Sequence, residues 1–584
     1  MAIKNIFGLK PSSFVKNIKK ILLFKKTILI ILIVITSILL YHNDSFYINF
    51  RDKVNARLIR YTNVDILSNV NKIAHLTDFS GKIKAIKHPL KKADIIEIKI
   101  ETKEKGKLKN YLKYNPPKKK WIKIKVKVNG FFQEAKLKYH GTHSIHYSND
   151  KYSYTVKLDK NSKGINGIKQ FKLVKGEDVD PTVIAVNQIA NDLGLIAPVG
   201  KLVMLRINNN NTSDYYFVED LSKDYLKNNF DIENYSILRN VNDWTRKENV
   251  MTNSPHHSHH DLYFGHLKSN KDSLHPHAIA IYKKLCESIK NKNTEEVKKL
   301  IDINYFSKFL AFQALFNDIH FSTGDNLKLI YSFDNGSFYP LYRQEHFGHS
   351  LLKYAYKYED NFRNSFPNFN KILFESAVDS KSSVHLKLFK LLLSDDQFRN
   401  KRYQHLKKLT DLSEKIIFNL KKKYAENEKI ILHSDISRRS ILIKQEEQIK
   451  LFKTMVALAK KHLEYGHIYG SYDYLNKKLF LMSDVFCPVK MNYPPADYSK
   501  PDINGIGFDI NLDFKYNYKE LEINLDNFKL GKLIFINMIT EDTIPNNKIH
   551  INHINESILT QRFSKKPQLK SKNIYYDIIK QRED

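Results

Sequence analysis

The stretch WIKIKVKVNG, residues 121–130, alternates apolar and lysine side chains almost without a break. A repeat of two suits a pleated strand, whose side chains leave opposite faces in turn. It does not suit a helix, whose repeat is about 3.6 residues. DIIEIKIETK before it, and FFQEAKLKYHG and YSYTVKLDK after it, follow the same rule. The pieces KGK, NPPKKK and NG between these runs are turn chemistry. The chain from residue 94 is therefore expected to build a sheet with one apolar face and one wet face rich in lysine.

A chain of 584 residues is too long for a single hydrophobic core, so two or more domains are expected. Its apolar content of 42% and aromatic content of 12% exclude a mainly disordered protein. Basic residues number 96 against 62 acidic ones, a formal net charge of +34. Such a field attracts anions of many kinds, among them nucleic acid, lipid headgroups, acidic glycans and nucleotides. Lysines dispersed along a chain also make an ordinary solvated surface. Nucleic-acid binding would rest on this charge alone, because no recognition motif accompanies it. Cys286 and Cys487 are the only cysteines; they exclude a cysteine metal site and a disulfide-rich class, and suit a bacterial envelope.

Residues 1–26 carry seven lysines and no acid, and Thr27 to Tyr41 follow with fifteen uncharged residues, TILIILIVITSILLY. At ~1.5 Å per residue this run is shorter than a hydrocarbon core, and snorkelling lysines with Leu22, Leu23 and Phe24 extend it. YHNDSFYIN offers no small-x-small cleavage site. The expectation is an uncleaved single-pass signal anchor at residues 27–42, with the basic segment 1–26 cytoplasmic and the main domain outside.

Further along, Asp180-Pro181 opens a helix with an apolar stripe of Val183, Val186, Ile189, Ala190 and Leu193, ended by Gly194. KLVMLRIN and DYYFVED read as a strand pair across the turn NNNNTS. Helical patterns dominate residues 277–465, broken by the polar loop NDIHFSTGDN and a hairpin turning at Asp334-Asn335-Gly336. Strands return beyond residue 470.

This order, a lysine-rich sheet before helices carrying a polar loop, resembles a kinase-like plan. The resemblance sharpens on Gly141 and Ser144 in a turn, Lys151, Tyr154 and Lys157, the strand Phe171 to Leu173, the helix end Leu193 to Pro198, and Glu219. These fall in the order of the spore-coat CotH kinase family, over about residues 94–360. The resemblance implies an α+β atypical kinase-like fold, with a β-rich N-lobe and a helical C-lobe. It also implies ATP and Mg²⁺ as cofactors and phosphoryl transfer to protein serine outside the cytoplasm. By position it makes Lys157 the phosphate-binding lysine, with Lys172 as substitute, and gives Glu219 the role of orienting it. Asp318 takes the place of the catalytic Asp, and Asn326 that of a metal ligand, with Asp325 and Glu345 as further ligands.

Two departures accompany it. His140 stands where the family turn begins with Arg, and Tyr342 and Gln344 in PLYRQEHFG replace the two aspartates of the family's later metal motif. A hard cation seeks charged oxygen, which these residues do not supply. The alternative expectation is therefore a non-catalytic relative. Its basic surface would organise a cell-surface polysaccharide or a coat, with an envelope protein or acidic surface polymer as partner. The expected organisation runs from the anchor through a stalk at 43–93 and a kinase-like domain at 94–465 to a β-rich domain at 466–584. A separate candidate is the tract SPHHSHHDLYFGH, in which His256, His257, His259 and His260 have a spacing that can share zinc or copper.

Overall fold

The computed structural model describes residues 79–114, 117–128, 130–141, 152–165, 167–175, 181–208, 210, 212–219, 221, 223–239, 268–316, 328–343, 384–393, 395–434, 438–464, 466–483, 487–493, 506–510, 519–522 and 529–552. Two compact units emerge, each assembled from separate pieces of chain. The first takes Met1–Ala185, Gly200–Asp220 and Lys421–Glu447, and the second Val186–Val199, Leu221–Leu420 and Gln448–Asp584.

The alternating runs of the first unit become strands: β1 Ile95–Lys99, β2 Ile122–Val128, β3 Phe131–Tyr139, β4 Tyr154–Leu158, β5 Gln170–Lys175, β6 Gly200–Ile207 and β7 Ser213–Glu219. Their order is β1-β2-β3-β4-β5-β7-β6, and the sheet closes on itself. Six of the seven pairings are antiparallel; the seventh, β1 with β6, is parallel, from Ile95 opposite Met204 to Ile98 opposite Ile207. Closure leaves no strand edge to protect. Inside, Ile98, Val126, Leu137, Val156, Leu173 and Phe217 form one continuous core. The Phe171 and Phe217 rings approach to 4.6 Å within it. At β6 the backbones come so close that a Cβ on Gly200 would lie 2.5 Å from the Phe217 carbonyl oxygen, so only glycine fits.

The kinase-like expectation is corrected here. It set a β-rich N-lobe before a helical C-lobe, whereas the strands of the first unit form a closed seven-stranded barrel. The physical reason is β1, which hydrogen-bonds to both β2 and β6 and so joins the two ends of what would be an open sheet. The expected anchor at residues 27–42 lies outside the described residues. Among the described residues, no helix is long and apolar enough to cross a membrane.

The outer barrel surface has two characters. On the β5-β7-β6 side, Val174, Tyr216, Leu202 and Met204 are buried beneath Ile184, Ile430, Ile431 and Ile441. On the β2-β3-β4 side, the outward positions are held mostly by lysine and face solvent.

In the second unit, the hairpin expected at Asp334-Asn335-Gly336 forms between β10 Lys328–Ser332 and β11 Ser337–Pro340. It joins β8 Tyr235–Arg239 and β9 Lys268–Ser269 in the order β11-β10-β8-β9. The Asp334 carboxylate accepts the backbone N–H groups of Glu233 and Asn234, both at 2.8 Å. The helix Ile303–Phe316 is the spine of this unit, buried continuously from Phe309 to Phe316. Tyr305 on it accepts the N–H of Ile196 at 2.5 Å and donates to the Pro340 carbonyl at 3.3 Å. The C-terminal strands β12 Ile468–Asp473, β13 Lys478–Ser483, β14 Val489–Tyr493, β15 Ile506–Ile510, β16 Lys519–Glu522, β17 Ile534–Asn537 and β18 Ile549–Asn552 make two sheets, β16-β13-β12-β18 and β15-β14-β17. They belong to the same compact unit as the helix Ile303–Phe316.

Candidate anion-binding face

Parity decides which lysines point outward. Ile122, Ile124, Val126 and Val128 of β2 are buried, so Lys123, Lys125 and Lys127 take the opposite face. In β3 the buried set is Ala135, Leu137 and Tyr139, which turns Glu134, Lys136 and Lys138 outward. Val156 and Leu158 point in from β4, leaving Lys157 outward and exposed. Glu97 and Lys99 of β1 share this outer side, since Ile96 and Ile98 belong to the core. The surface made by β1 to β4 thus carries seven lysines and two glutamates.

The register then places these charges in rows. Lys123 lies opposite Lys136, and Lys136 opposite Lys157, so three ammonium groups cross three adjacent strands in line. Both glutamates are engaged elsewhere. Glu97 pairs with Lys127 at 3.0 Å, and Glu134 with Lys125 at 3.4 Å. Among the described residues, none of Lys123, Lys136 and Lys157 forms an ion pair. Like charges directly opposite one another across strands cost about 0.2–1 kcal/mol per pair. A bound anion would relieve that cost. Adjacent strands are ~4.8 Å apart and outward side chains along one strand ~6.7 Å apart, so the lysines form a two-dimensional grid of positive charge.

Aromatic rings are interleaved with this grid. The Lys99 ammonium sits 4.1 Å from the centre of the Phe132 ring, and that of Lys138 4.5 Å from Trp121. These contacts hold two long side chains upright over the sheet, which reduces the entropy that ordering them on a ligand would cost.

The residues expected at a nucleotide site are placed as follows. Lys157 is in the exposed row just described. Lys172 is half-buried on β5, opposite Thr155 and Val218, and has outward parity because Phe171 and Leu173 face the core. Glu219 ends β7 opposite Phe171 and shares the interior parity of Tyr215 and Phe217. The structure therefore brings Lys157 and Lys172 to one side of the sheet and puts Glu219 on the other. Lys175 also takes the interior parity and is buried, its backbone N–H donating to the Ser153 hydroxyl at 3.2 Å.

Asp318, Asp325, Asn326 and Glu345 lie outside the described residues, as do His256, His257, His259 and His260. Tyr342, at a position of the family's metal motif, is a core side chain. It is fully buried, with its ring 4.9 Å from Phe312 and 6.2 Å from Phe309, and its N–H donates to the Ile196 carbonyl at 2.8 Å. Among the described residues, no three of His, Cys, Asp and Glu cluster closely enough to hold a metal ion.

Sequence reasoning treated Lys123, Lys125, Lys127, Lys136 and Lys138 as a wet face rather than as site residues. The signal for them was present as lysine at every second position of two adjacent runs. What it lacked was the register that sets Lys123, Lys136 and Lys157 in line. No protein-family model matches the chain, and no curated protein matches it in sequence.

Proposed function

We propose that this protein is a non-catalytic binder of an acidic polysaccharide, organising surface polymer or coat assembly outside the cytoplasm through the lysine face of its barrel. The observation that carries this reading is the row Lys123, Lys136 and Lys157, three directly opposed ammonium groups without a carboxylate partner among the described residues. Carboxylates repeating along a uronic-acid chain supply point charges to match a lysine grid. Lysine suits this use, because its compact ammonium neutralises charge without the fixed two-pronged geometry that arginine brings to phosphate and base recognition. The resemblance to the spore-coat family and the anchor expected at residues 27–42 give the reading its cellular setting.

Phosphoryl transfer from ATP and Mg²⁺ by Asp318 has less support. The lysine and glutamate assigned to the nucleotide lie on opposite sides of the sheet, and Tyr342 belongs to the core. The deciding experiment is a titration of the chain with polygalacturonate and with single-stranded DNA of equal charge. It compares wild type with the variant Lys123→Gln, Lys136→Gln, Lys157→Gln. Binding of the glycan that weakens at least tenfold in the variant supports the proposal. Equal glycan binding by the two proteins overturns it, as does a wild type that binds only the DNA.

A further inference from the structure

A second basic cluster lies in the other unit, on the helices Ile303–Phe316 and Asp396–Asp411. We propose that Lys308, Lys401, His405 and Lys408 form a binding site for a single dianionic oxyanion of the sulfate class, whose capture is coupled to protonation of His405.

The argument begins with His405. Its Nε2 lies 2.9 Å from Oδ1 of Asn304. An amide oxygen can only accept, so Nε2 carries the hydrogen and donates it. In the neutral ring Nδ1 is then a bare acceptor, and on protonation it becomes a donor. Lys401 and Lys408 stand four residues before and three after His405 on the same helix, which places all three on one face. Lys308 comes from the facing helix. Its ammonium donates to the carbonyls of Leu193 and Gly194, both at 3.2 Å, which leaves one of its three N–H groups for a ligand.

Among the described residues, the charges that act on His405 are all positive. Asp302 is the acid within range of Lys308, and its carboxylate already accepts the Tyr305 N–H at 2.8 Å as the cap of its helix. The acid Asp411 is held by Lys407 at 2.7 Å. Among the described residues, neither Lys401 nor Lys408 has a carboxylate partner. Burial first, and then the charges of Lys308, Lys408 and Lys401, push the His405 imidazole down to about 4. Burial is also the main force lowering the Lys308 ammonium, with Lys408 adding to it and Asp302 opposing. Three ammonium groups whose charges reach one proton-accepting ring call for more than one negative charge at one point, which a sulfate supplies even in acid and a lone carboxylate does not. Its oxygens would accept from Nδ1–H and from the remaining Lys308 N–H.

The test uses the full chain and inorganic sulfate, which keeps two charges through the pH range in which His405 titrates. Histidine ring resonances are followed against pH in chloride and in sulfate at equal ionic strength, with His405 identified by its loss in His405→Asn. Other lysines also attract sulfate, so the readout is the resonance of this ring itself. Sulfate is expected to raise the His405 midpoint by about one pH unit, a tenfold gain in proton affinity. In Lys401→Gln, Lys408→Gln, whose side chains are not in the core, the chloride midpoint rises and the sulfate response shrinks to a third or less. A wild-type midpoint that is the same in sulfate and chloride overturns the proposal. So does a full response in the folded double variant.

Discussion

Lys136→Glu separates a binding face from a solvated one, because the two make opposite demands on that position. Lys136 sits between Lys123 and Lys157 in register, so the substitution turns two repulsive cross-strand pairs into two attractive ones. At about 0.2–1 kcal/mol per pair, the barrel unit should gain about 1 kcal/mol at low salt. That corresponds to ~2–4 °C in Tm, and the gain should fade as salt screens exposed charges. Polymer binding should move the other way. The introduced carboxylate removes one ammonium and occupies its neighbours, so up to three charges leave the binding grid. With a coefficient of ~0.7 per neutralised charge, the slope of log affinity against log salt should become shallower by about 1–2. Thermal melts and glycan titrations over a salt series measure both quantities on the same samples. A variant that gains stability yet binds polygalacturonate with an unchanged salt slope would refute the binding face. One that loses stability would refute the row itself.

Three further outcomes follow from buried and half-buried groups. Cys286 and Cys487 are both buried thiols that burial pushes up to about 12, so neither should react with a thiol reagent near neutral pH until the protein is unfolded, when two thiols should titrate. His462 is buried, and burial first, with Arg402 second, pushes its imidazole down to about 3. Below the ordinary histidine range the unfolded chain takes up a proton that the native ring refuses, so its stabilising contribution is present above that range and lost as pH falls. His462→Gln should accordingly flatten the stability–pH slope by about 1.4 kcal/mol per pH unit in acid, read from urea melts between about pH 6 and 4. Burial works to raise the Asp94 carboxyl, but the hydrogen bonds from Lys429 and the Lys91 backbone together with the Lys429 charge hold it below its usual value. Asp94→Asn should cost about 1 kcal/mol near neutral pH. The cost should vanish as pH falls through the depressed pKa, when the wild-type carboxyl is itself protonated.

By itself, the sequence determined the local elements and the face each side chain takes. Alternation in IKIKVKV and EAKLKY requires strands with lysine on one side, and both strands are present with that burial. Asp180-Pro181, the stripe through Val186 and Ile189, and Gly194 fixed the helix Pro181–Asp192, and Gly194 adopts a φ of +78° just beyond it. These signals are legible because they depend on residues within a turn or two of one another. Only the tertiary structure decided whether the sheet closes. Ile95 must meet Met204 in parallel, more than a hundred residues away, and no periodicity encodes a pairing partner. The same limit hid the relation of Lys157 to Glu219, because opposite parity appears only once the register across β4, β5 and β7 is known. It also hid the basic cluster in the other unit, where His405 meets Asn304 from a helix about a hundred residues away. Alternation tells a lysine which way to point, and only the register of its neighbours tells it which charges it will face.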